Sequence, residues 1–348
     1  MNLSEFGSET IVLAHGSGGL LTHELLREVF LRRFDNAVLA GMDDAAKLPP
    51  LPPGQLALTT DSYVVQPLFF PGGDIGKLAV CGTVNDLAVT GAKPLYLSCG
   101  FIIEEGLPLE TLGRVVDSMA DTARIAGVQI VTGDTKVVEH GAADGIFINT
   151  TGVGVIAPGV DLAPARMRPG DAMLVNGPVG DHGVAVMLAR EGLNFHADVV
   201  SDCAPLNALI ASVLETASGS SGGSVGVRCM RDATRGGLAT VLCEWAESGL
   251  GIEIEERAVP VREAVRAVSE FLGLDPLYSA NEGTMVLVVA PELAETALAT
   301  LRAHPLGQHA AIIGHVTAEH PGRVVLRTPY GARRIVQMLA GAQLPRIC

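Results

Sequence analysis

Residues 78–89 read LAVCGTVNDLAV, an apolar run whose polar side chains are Thr83, Asn85 and Asp86. Asp74 can cap a helix that begins before this run and Gly91 can end it, so the sequence predicts a helix over residues 74–92. Buried strands are predicted on either side of this helix, at residues 56–61 and 95–103. Strands and helices that alternate in this way indicate a mixed α/β fold.

The chain is long enough for two such domains. It has 348 residues, of which 48% are apolar, and one domain takes roughly 100–200 residues. Residues 157–170 contain three prolines and little periodicity, so we expect the domain boundary there. The predicted divisions are a Gly-rich segment and helix at 1–35, a first domain at 36–157, a second α/β domain at 168–337, and a mobile tail at 338–348.

Charge and cysteine content exclude several classes of protein. The formal net charge is −14, whereas a nucleic-acid-binding protein normally has a basic face. The six cysteines form no CxxC pair, the N-terminus lacks the pattern of a signal peptide, and no apolar stretch approaches the ~20 residues of a membrane span. We therefore expect a cytoplasmic protein with reduced thiols and with neither a nucleic acid nor a membrane as partner.

Several carboxylates are predicted near strand and helix ends of the first half. If the ligand is a polyanion such as ATP, these acids require a cation between them and the phosphates, which implies Mg²⁺. Apolar strands that lead into aspartates would bring them together at one edge of a sheet. For any single aspartate, a role in a turn or a cap is an equal alternative. The five candidates are Asp43, Asp44, Asp61, Asp86 and Asp134.

Asn85 and Asp86 interrupt an apolar helix, so they must face solvent or find partners. A ligand or metal contact is the preferred interpretation, and a solvated face is the alternative.

The turn formed by Gly16, Ser17, Gly18 and Gly19 precedes a predicted helix over residues 20–34 and could bind phosphate, although it lacks the lysine of a P-loop. A flexible lead-in to the helix is equally consistent with this turn.

Three further motifs carry charged side chains. Lys136 follows Asp134 two residues later, after a short strand predicted at 128–132, and a surface ion pair is the alternative to a catalytic role. Glu282 lies at a tight turn before a buried strand. Residues 230–237 place two arginines, Asp232 and Thr234 before a helix, where they could bind an anion or simply cap that helix.

The sequence ends on Cys348, a thiol in a segment without evident structure. About ten extended residues reach ~30 Å, which is enough to enter a cleft. A carrier thiol needs this freedom, although a terminal residue is more often disordered and inert.

Together these motifs closely resemble the HypE family of hydrogenase maturation proteins, and the resemblance covers nearly the whole chain. The final PRIC is highly specific to that family. The aspartate pattern is shared more widely, with aminoimidazole ribonucleotide synthetase, selenophosphate synthetase and thiamine-monophosphate kinase. The matching segments are TDSYVV at 60–65, FFPGGDIGK at 69–77, NDLA at 85–88, GDTKVV at 133–138, DATRGG at 232–237, NEG at 281–283 and PRIC at 345–348.

The resemblance implies a two-domain subunit of PurM-like fold. Domain 36–157 would bind ATP and pair with its counterpart into a β-barrel across a homodimer. The five aspartates would lie on the Mg²⁺ or phosphate side. The other nucleotide-binding residues implied are Gly16, Gly18, Gly19, Asn85, Asp232 and Thr234.

The resemblance also implies a reaction. Cys348 would accept a carbamoyl group from the protein HypF, and ATP would drive dehydration of the S-carboxamide to an S-cyanate. The cyano group would then pass to an iron held by HypC and HypD, on the way to the NiFe-hydrogenase centre. Glu282 is the leading candidate for the base, with Lys136 as its partner or as a stabiliser of developing charge, and these two roles could be exchanged.

Three alternatives stay open at this point. A selenophosphate synthetase would need a reactive cysteine near the Gly-rich turn, whereas the first cysteine here is Cys81. A thiamine-monophosphate kinase shares the aspartates but needs no terminal thiol. A non-catalytic scaffold would bind nucleotide and partners, and its ATPase activity would not change when Cys348 is replaced.

Overall fold

A computed structural model of the chain describes residues 9–190, 197–218, 226–341, 344 and 346–348. Residues 1–8 of the predicted N-terminal segment lie outside the described residues. The same holds for residues 191–196 and 219–225 of the second half, and for Ala342, Gln343 and Pro345 of the predicted tail.

The first half of the chain forms a four-stranded sheet with two long helices on one face. Its helices are α1 (Leu20–Leu25), which continues through a π-helical turn (Leu26–Leu31) into α2 (Arg32–Phe34), then α3 (Ala37–Ala40), α4 (Ile75–Val89) and α5 (Leu109–Ala126). Its strands are β1 (Gln55–Tyr63), the short pair β2 (Phe69–Phe70) and β3 (Gly73–Asp74), then β4 (Ala92–Glu104), β5 (Gln129–Val138) and β6 (Ile146–Ile156). The sheet order is β1-β6-β4-β5, with β4 and β5 parallel and the other pairs antiparallel.

Helix α4 is the predicted apolar helix. Asp74 caps it by accepting hydrogen bonds from the backbone N–H groups of Gly76 (2.8 Å) and Lys77 (3.1 Å). Nearly all of its side chains are buried, because it packs on α5, on the sheet and on the second half of the chain. Thr83 and Asn85 of this helix therefore meet protein and not solvent, whereas Asp86 is half-buried.

The opposite face of this sheet is open in the single chain. Leu56 and Leu58 of β1 are 63% and 72% exposed, and Ile102 of β4 is also exposed. Apolar side chains on one open sheet face are typical of a surface that pairs with another protein.

The second half forms a seven-stranded sheet covered on both faces. Its strands are β7 (Ala172–Val175), β8 (Val227–Asp232), β9 (Gly251–Glu255), β10 (Met285–Val289), β11 (Ala311–Thr317), β12 (Val324–Arg327) and β13 (Arg333–Val336). Its helices are α6 (Asp181–Leu188), α7 (Asn207–Ser218), α8 (Gly237–Ala246), α9 (Glu263–Leu272) and α10 (Ala294–Ala303). The strand order is β13-β12-β9-β11-β7-β10-β8, and only β9 and β12 pair in parallel.

Strand β10 explains why both faces are covered. All five of its residues are buried, and successive side chains point to opposite faces. Val286 and Val288 belong to the same apolar cluster as Leu242 of α8, whereas Leu287 belongs to the cluster of Leu209 on α7.

Among the helices of the described residues, none combines the length and the apolar character that crossing a membrane would require.

One strand is longer than its sequence pattern predicted. The predicted strand 128–132 continues to Val138 and pairs with β4 throughout. Gly133 allows this pairing, since a Cβ there would lie 2.3 Å from the Cys99 carbonyl oxygen. Asp134 and Lys136 consequently lie inside a strand and not in a loop after it.

Candidate active site

A cavity between the two halves of the chain contains the terminal cysteine. The first half contributes the end of β1 and one face of α4, and the second half contributes the segment between β8 and α8 and the turn before β10. The lining residues are Asp61, Ser62, Tyr63, Gly82, Asp86, Asp232, Thr234, Arg235, Glu282 and Cys348.

Two aspartates of this cavity, Asp86 and Asp232, have a raised pKa. Asp86 accepts a hydrogen bond from Thr59 Oγ1 at 2.8 Å, and Asp61 lines the same cavity. Burial and the charge of Asp61 raise the pKa of Asp86 to about 6. Burial and the charge of Asp86 raise the pKa of Asp232 to about 7. These acids therefore gain from any cation that enters between them.

Asp232 also has an unsatisfied oxygen. Its Oδ2 is buried and has no hydrogen-bond partner within the described part of the chain. Gly236, not Asp232 or Thr234, occupies the N-cap position of α8, so the predicted capping alternative for these two residues is wrong. A buried acceptor without a partner is a suitable ligand for a cation or a bound donor.

Glu282 is held at the cavity by an aspartate that the sequence analysis did not identify. The Asp202 carboxylate accepts hydrogen bonds from the Glu282 N–H at 3.0 Å, the Gly283 N–H at 2.9 Å and Thr284 Oγ1 at 2.9 Å. Gly283 is needed because a Cβ there would lie 1.8 Å from the Asp202 carbonyl oxygen. Burial, reinforced by neighbouring acidic groups, raises the pKa of Glu282 well above its ordinary value. Asp202 could not be predicted, since its partners are 80 residues away in sequence.

The last residues of the chain pair with residues 64–66, and Cys348 enters the cavity. The Val64 N–H donates to the Cys348 carbonyl oxygen and the Gln66 N–H to the Arg346 carbonyl oxygen, both at 3.3 Å, so the segment runs antiparallel to residues 64–66. The Ile347 side chain is buried. Burial, with the charge of Glu282, raises the pKa of Cys348 to about 12, so the docked sulfur is a neutral thiol. The structure gives one docked position of the tail, and its mobility stays a prediction.

Arg235 is the cationic side chain in the cavity lining, and its charge opposes the rise in the Cys348 pKa. Lys136 does not reach Glu282 within one chain. Because β5 continues through Lys136, this side chain lies on an exposed strand separated from β1 by β4 and β6, and it pairs with Asp134 at 3.0 Å. Arg235 belongs to a motif that the sequence analysis noted, so the signal for it was present.

The predicted phosphate-side residues do not all meet within one chain. Asp61 and Asp86 line the cavity of Cys348, whereas Asp43 and Asp134 line a second cavity beside β5. Asp43 pairs with Lys47 at 3.1 Å. Asp44 is exposed. The five aspartates therefore occupy separate places in the single chain, and their predicted convergence is not seen there.

The Gly-rich turn also lies beside β5. A Cβ on Gly16 would lie 2.6 Å from the Val137 nitrogen, so glycine permits this close approach. Gly18 has a φ of +83°, and Gly19 occupies the N-cap position of α1. The turn thus approaches the β5 edge of the sheet, and a phosphate role for Gly16, Gly18 and Gly19 stays a prediction.

Asn85 is engaged by protein atoms. Its side-chain amide donates to the carbonyl oxygens of Ala204 (3.1 Å) and Glu282 (3.4 Å), and its Oδ1 accepts from the Leu206 N–H (2.7 Å). This arrangement joins α4 to the second half of the chain. Asn85 thereby positions Glu282, and its predicted contact with a nucleotide is not needed to explain a buried polar residue in α4.

The oxygen donors of the cavity suit Mg²⁺ only together with a nucleotide. Among the described residues, no group of three or more His, Cys, Asp or Glu side chains is arranged to hold a metal ion by itself. Mg²⁺ bound with a nucleotide usually takes one or two carboxylates and completes its shell with phosphate oxygens and water. The adjacent carboxyl groups of Asp61 and Asp86 fit that requirement.

Comparison with known proteins identifies both halves of the chain. Residues 42–156 match the N-terminal domain, and residues 168–327 the C-terminal domain, of AIR synthase related proteins. The chain is 52% identical over 349 aligned residues to the carbamoyl dehydratase HypE of Azotobacter vinelandii, and the alignment covers all of both chains.

Two solved structures extend this comparison. The structure of a hydrogenase maturation protein HypE in complex with ATP is similar with a TM-score of 0.90 and 52% identity, covering 97% of this chain and 100% of that one. A HypE chain in a HypE–HypF complex is similar with a TM-score of 0.78 and 50% identity, covering 90% and 99% respectively.

Proposed function

The chain belongs to the HypE family of hydrogenase maturation proteins, the carbamoyl dehydratases, and from this premise we propose how its own residues perform the reaction. Cys348 carries a carbamoyl group as an S-carboxamide, and ATP drives the removal of water from it. The products are an S-cyanate on Cys348, ADP and inorganic phosphate, with the carbamoyl oxygen ending in the phosphate.

The main support for this proposal is the position of Cys348. Its thiol shares one cavity with Glu282 and with the acids Asp61, Asp86 and Asp232. A neutral, buried sulfur at this place suits an uncharged S-carboxamide, because the neutral group costs less to desolvate than a thiolate. The nitrogen and oxygen of the carbamoyl group would extend from the sulfur toward the acids.

Activation of the carbamoyl oxygen is the role of ATP. An amide oxygen is a poor leaving group, and phosphorylation converts it into a phosphate ester that can depart. Asp61 and Asp86 would hold the Mg²⁺ that accompanies the nucleotide, with Asp232 beside them. When bound, Mg²⁺ supplies positive charge to the transferring phosphoryl group.

Glu282 is proposed to remove the protons from the carbamoyl nitrogen. A raised pKa makes its ionised carboxylate a stronger base than an exposed glutamate would be. The Asp202 hydrogen bonds to the Glu282 turn fix the backbone from which this side chain extends. Expulsion of phosphate then leaves the S–C≡N group.

Arg235 is proposed to stabilise the negative charge that develops on the phosphorylated oxygen. It faces the same cavity, and an arginine guanidinium suits phosphate oxygens. Lys136, predicted for this role from sequence, would require the second subunit of a homodimer to approach the cavity.

A homodimer is supported by the open face of the first sheet. Leu56, Leu58 and Ile102 lie on it together with Lys136 and Asp134. Pairing of two such faces into a β-barrel would cover the apolar side chains. It would also bring residues of one subunit near the nucleotide site of the other.

The partners follow from the chemistry. We propose HypF as the carbamoyl donor, since a solved HypE is described in complex with HypF. We propose the HypC–HypD complex as the acceptor that presents iron to the cyano group, and the cytoplasm as the compartment, consistent with free thiols at all six cysteines.

The test is intact-protein and peptide mass spectrometry. The chain is incubated with HypF, carbamoyl phosphate and Mg-ATP, and the mass of the peptide ending at Cys348 is followed with time. We expect the peptide ending at Cys348 to lose the mass of one water, while Glu282→Gln keeps the carbamoyl mass and Cys348→Ser is never modified. A carbamoylated wild-type peptide that keeps its mass with active components would overturn the proposal.

A further inference from the structure

His182 is a fully buried histidine whose two ring nitrogens both have partners. It lies in α6, and its ring meets Phe70 edge-on with centroids 5.3 Å apart. Its Nδ1 is 2.8 Å from Ser201 Oγ, and its Nε2 is 2.7 Å from the carbonyl oxygen of Ile347. The side chain therefore connects the second domain to the residue immediately before Cys348.

The partners decide the tautomer of the ring. A backbone carbonyl only accepts, so Nε2 carries the proton and donates to Ile347. Nδ1 then accepts from the Ser201 hydroxyl, whose oxygen in turn accepts from the Cys203 N–H at 3.1 Å. Burial lowers the pKa of His182 to about 4, so the ring stays neutral and keeps this arrangement at physiological pH.

The other polar side-chain contacts of the tail lie closer to the surface. Arg190 donates to the carbonyl oxygens of Gln66 (3.0 Å) and Arg346 (2.8 Å), and the Arg346 side chain pairs with Asp144. Exposed charged contacts of this kind contribute little. A buried hydrogen bond is costly to lose, because the carbonyl would stay unpaired away from water. His182 is thus the buried polar side chain that holds the tail backbone, in addition to the buried Ile347 side chain and the backbone hydrogen bonds to Val64 and Gln66.

We propose that His182, oriented by Ser201, is the positioning residue that fixes the sulfur of Cys348 beside Glu282. Ile347 directly precedes Cys348, so holding its carbonyl oxygen sets where the next side chain projects. That this positioning serves dehydration rests on the proposed function, whereas the positioning itself does not.

The rate at which Cys348 is alkylated reports whether its thiol is held in the docked position. This measurement needs neither nucleotide nor a carbamoyl group. The full chain is treated with N-ethylmaleimide, and the modified peptides are quantified by mass spectrometry. The half-buried Cys243 serves as the internal reference. His182→Gln keeps an amide N–H near the place of Nε2, whereas His182→Asn keeps one near Nδ1 that cannot reach Ile347.

We expect Cys348 of His182→Asn and His182→Phe to react about tenfold faster than in the wild type. This corresponds to about 1.4 kcal/mol, the strength of one buried hydrogen bond. His182→Gln should stay near the wild-type rate, as should His315→Gln, a control at an exposed histidine of β11. Ser201→Ala should be severalfold faster.

Two results would overturn the proposal. One is equal reactivity of the Asn and Gln variants, because the ring would then act by packing alone. The other is that the single variants Ser201→Ala and His182→Asn both react at the wild-type rate. If His182→Phe does not fold, the comparison of Asn with Gln decides the question.

Single-turnover dehydration separates this inference from the proposed function. We expect His182→Asn to lower the maximal single-turnover rate constant while the ATP concentration that gives half of this rate is unchanged, since His182 does not line the cavity of the acids. If the wild type shows a protected Cys348 but no dehydration, the proposed function fails and the position of the tail stands. If dehydration occurs equally in wild type and His182→Asn, a role of this positioning in dehydration is excluded, and the alkylation rates alone decide the positioning itself.

Discussion

At the scale of single residues, the acids of the cavity make the protein less stable than neutral side chains would. The pKa of Asp86 is raised from 3.8 to about 6, and that of Asp232 from 3.8 to about 7, chiefly by burial. Between the unfolded and folded values the native state binds more protons than the unfolded state. The free energy of unfolding therefore falls as pH rises from about 4 to 7.

Replacing one of these acids should remove part of that dependence. We expect Asp86→Asn to raise the free energy of unfolding of the ligand-free protein at pH 8 by on the order of 1 kcal/mol, with a smaller gain toward pH 4. Urea unfolding at several pH values is the measurement. Asp121→Asn, at an exposed aspartate of α5, should show no such gain, and a less stable Asp86→Asn at pH 8 would contradict the assignment.

Membership of the cavity could be predicted for residues that stand in a recognisable local motif. Asp61, Asp86, Asp232, Thr234, Glu282 and Cys348 were all named from sequence, and the structure brings them into one cavity. Asp202 and His182 were not, because their roles depend on partners 80 and 165 positions away. Local sequence patterns contain no information about such contacts.

At the scale of elements, the length of β5 decided where Asp134 and Lys136 lie in the structure. The sequence pattern ended β5 at residue 132, and the structure continues it to Val138. Thr135, Val137 and Val138 favour a strand, but the predicted ligand site led to a loop interpretation there. The helix α4, by contrast, has both an N-cap and a terminating glycine, so its bounds were predicted within a few residues.

The contact of α4 with the second domain gives an element-scale prediction. Asn85 makes three hydrogen bonds across this contact, and its loss leaves the buried Leu206 N–H without its partner. We expect Asn85→Ala to lower the free energy of unfolding by about 1–3 kcal/mol in the absence of nucleotide. Gln308→Ala, at an exposed amide, is the control. If Asn85 served a ligand alone, ligand-free stability would be unchanged.

At the scale of the whole molecule, the single chain holds an incomplete set of the expected nucleotide-binding residues. Asp43, Asp134, Lys136 and the Gly-rich turn lie near β5, whereas Cys348 and its acids lie between the domains. Sequence patterns could predict these residues but not which subunit completes the site. The open sheet face lies on the same side as Lys136, so dimerisation through that face is the arrangement that would reconcile the two groups.

A charged residue introduced on the open face of the first sheet would test whether the chain dimerises through that face. Leu58 of β1 is 72% exposed in the single chain, and Ile125 of α5 is 76% exposed on a helix away from the open sheet face. We expect the wild type to sediment as a dimer and Leu58→Lys as a monomer, because a lysine buried between two apolar sheets would have no partner for its charge. Ile125→Lys should stay dimeric. If the second subunit contributes to the nucleotide site, Leu58→Lys should also lose dehydration while its tail keeps Cys348 protected. A monomeric wild type, or a dimeric and fully active Leu58→Lys, would exclude this face as the interface.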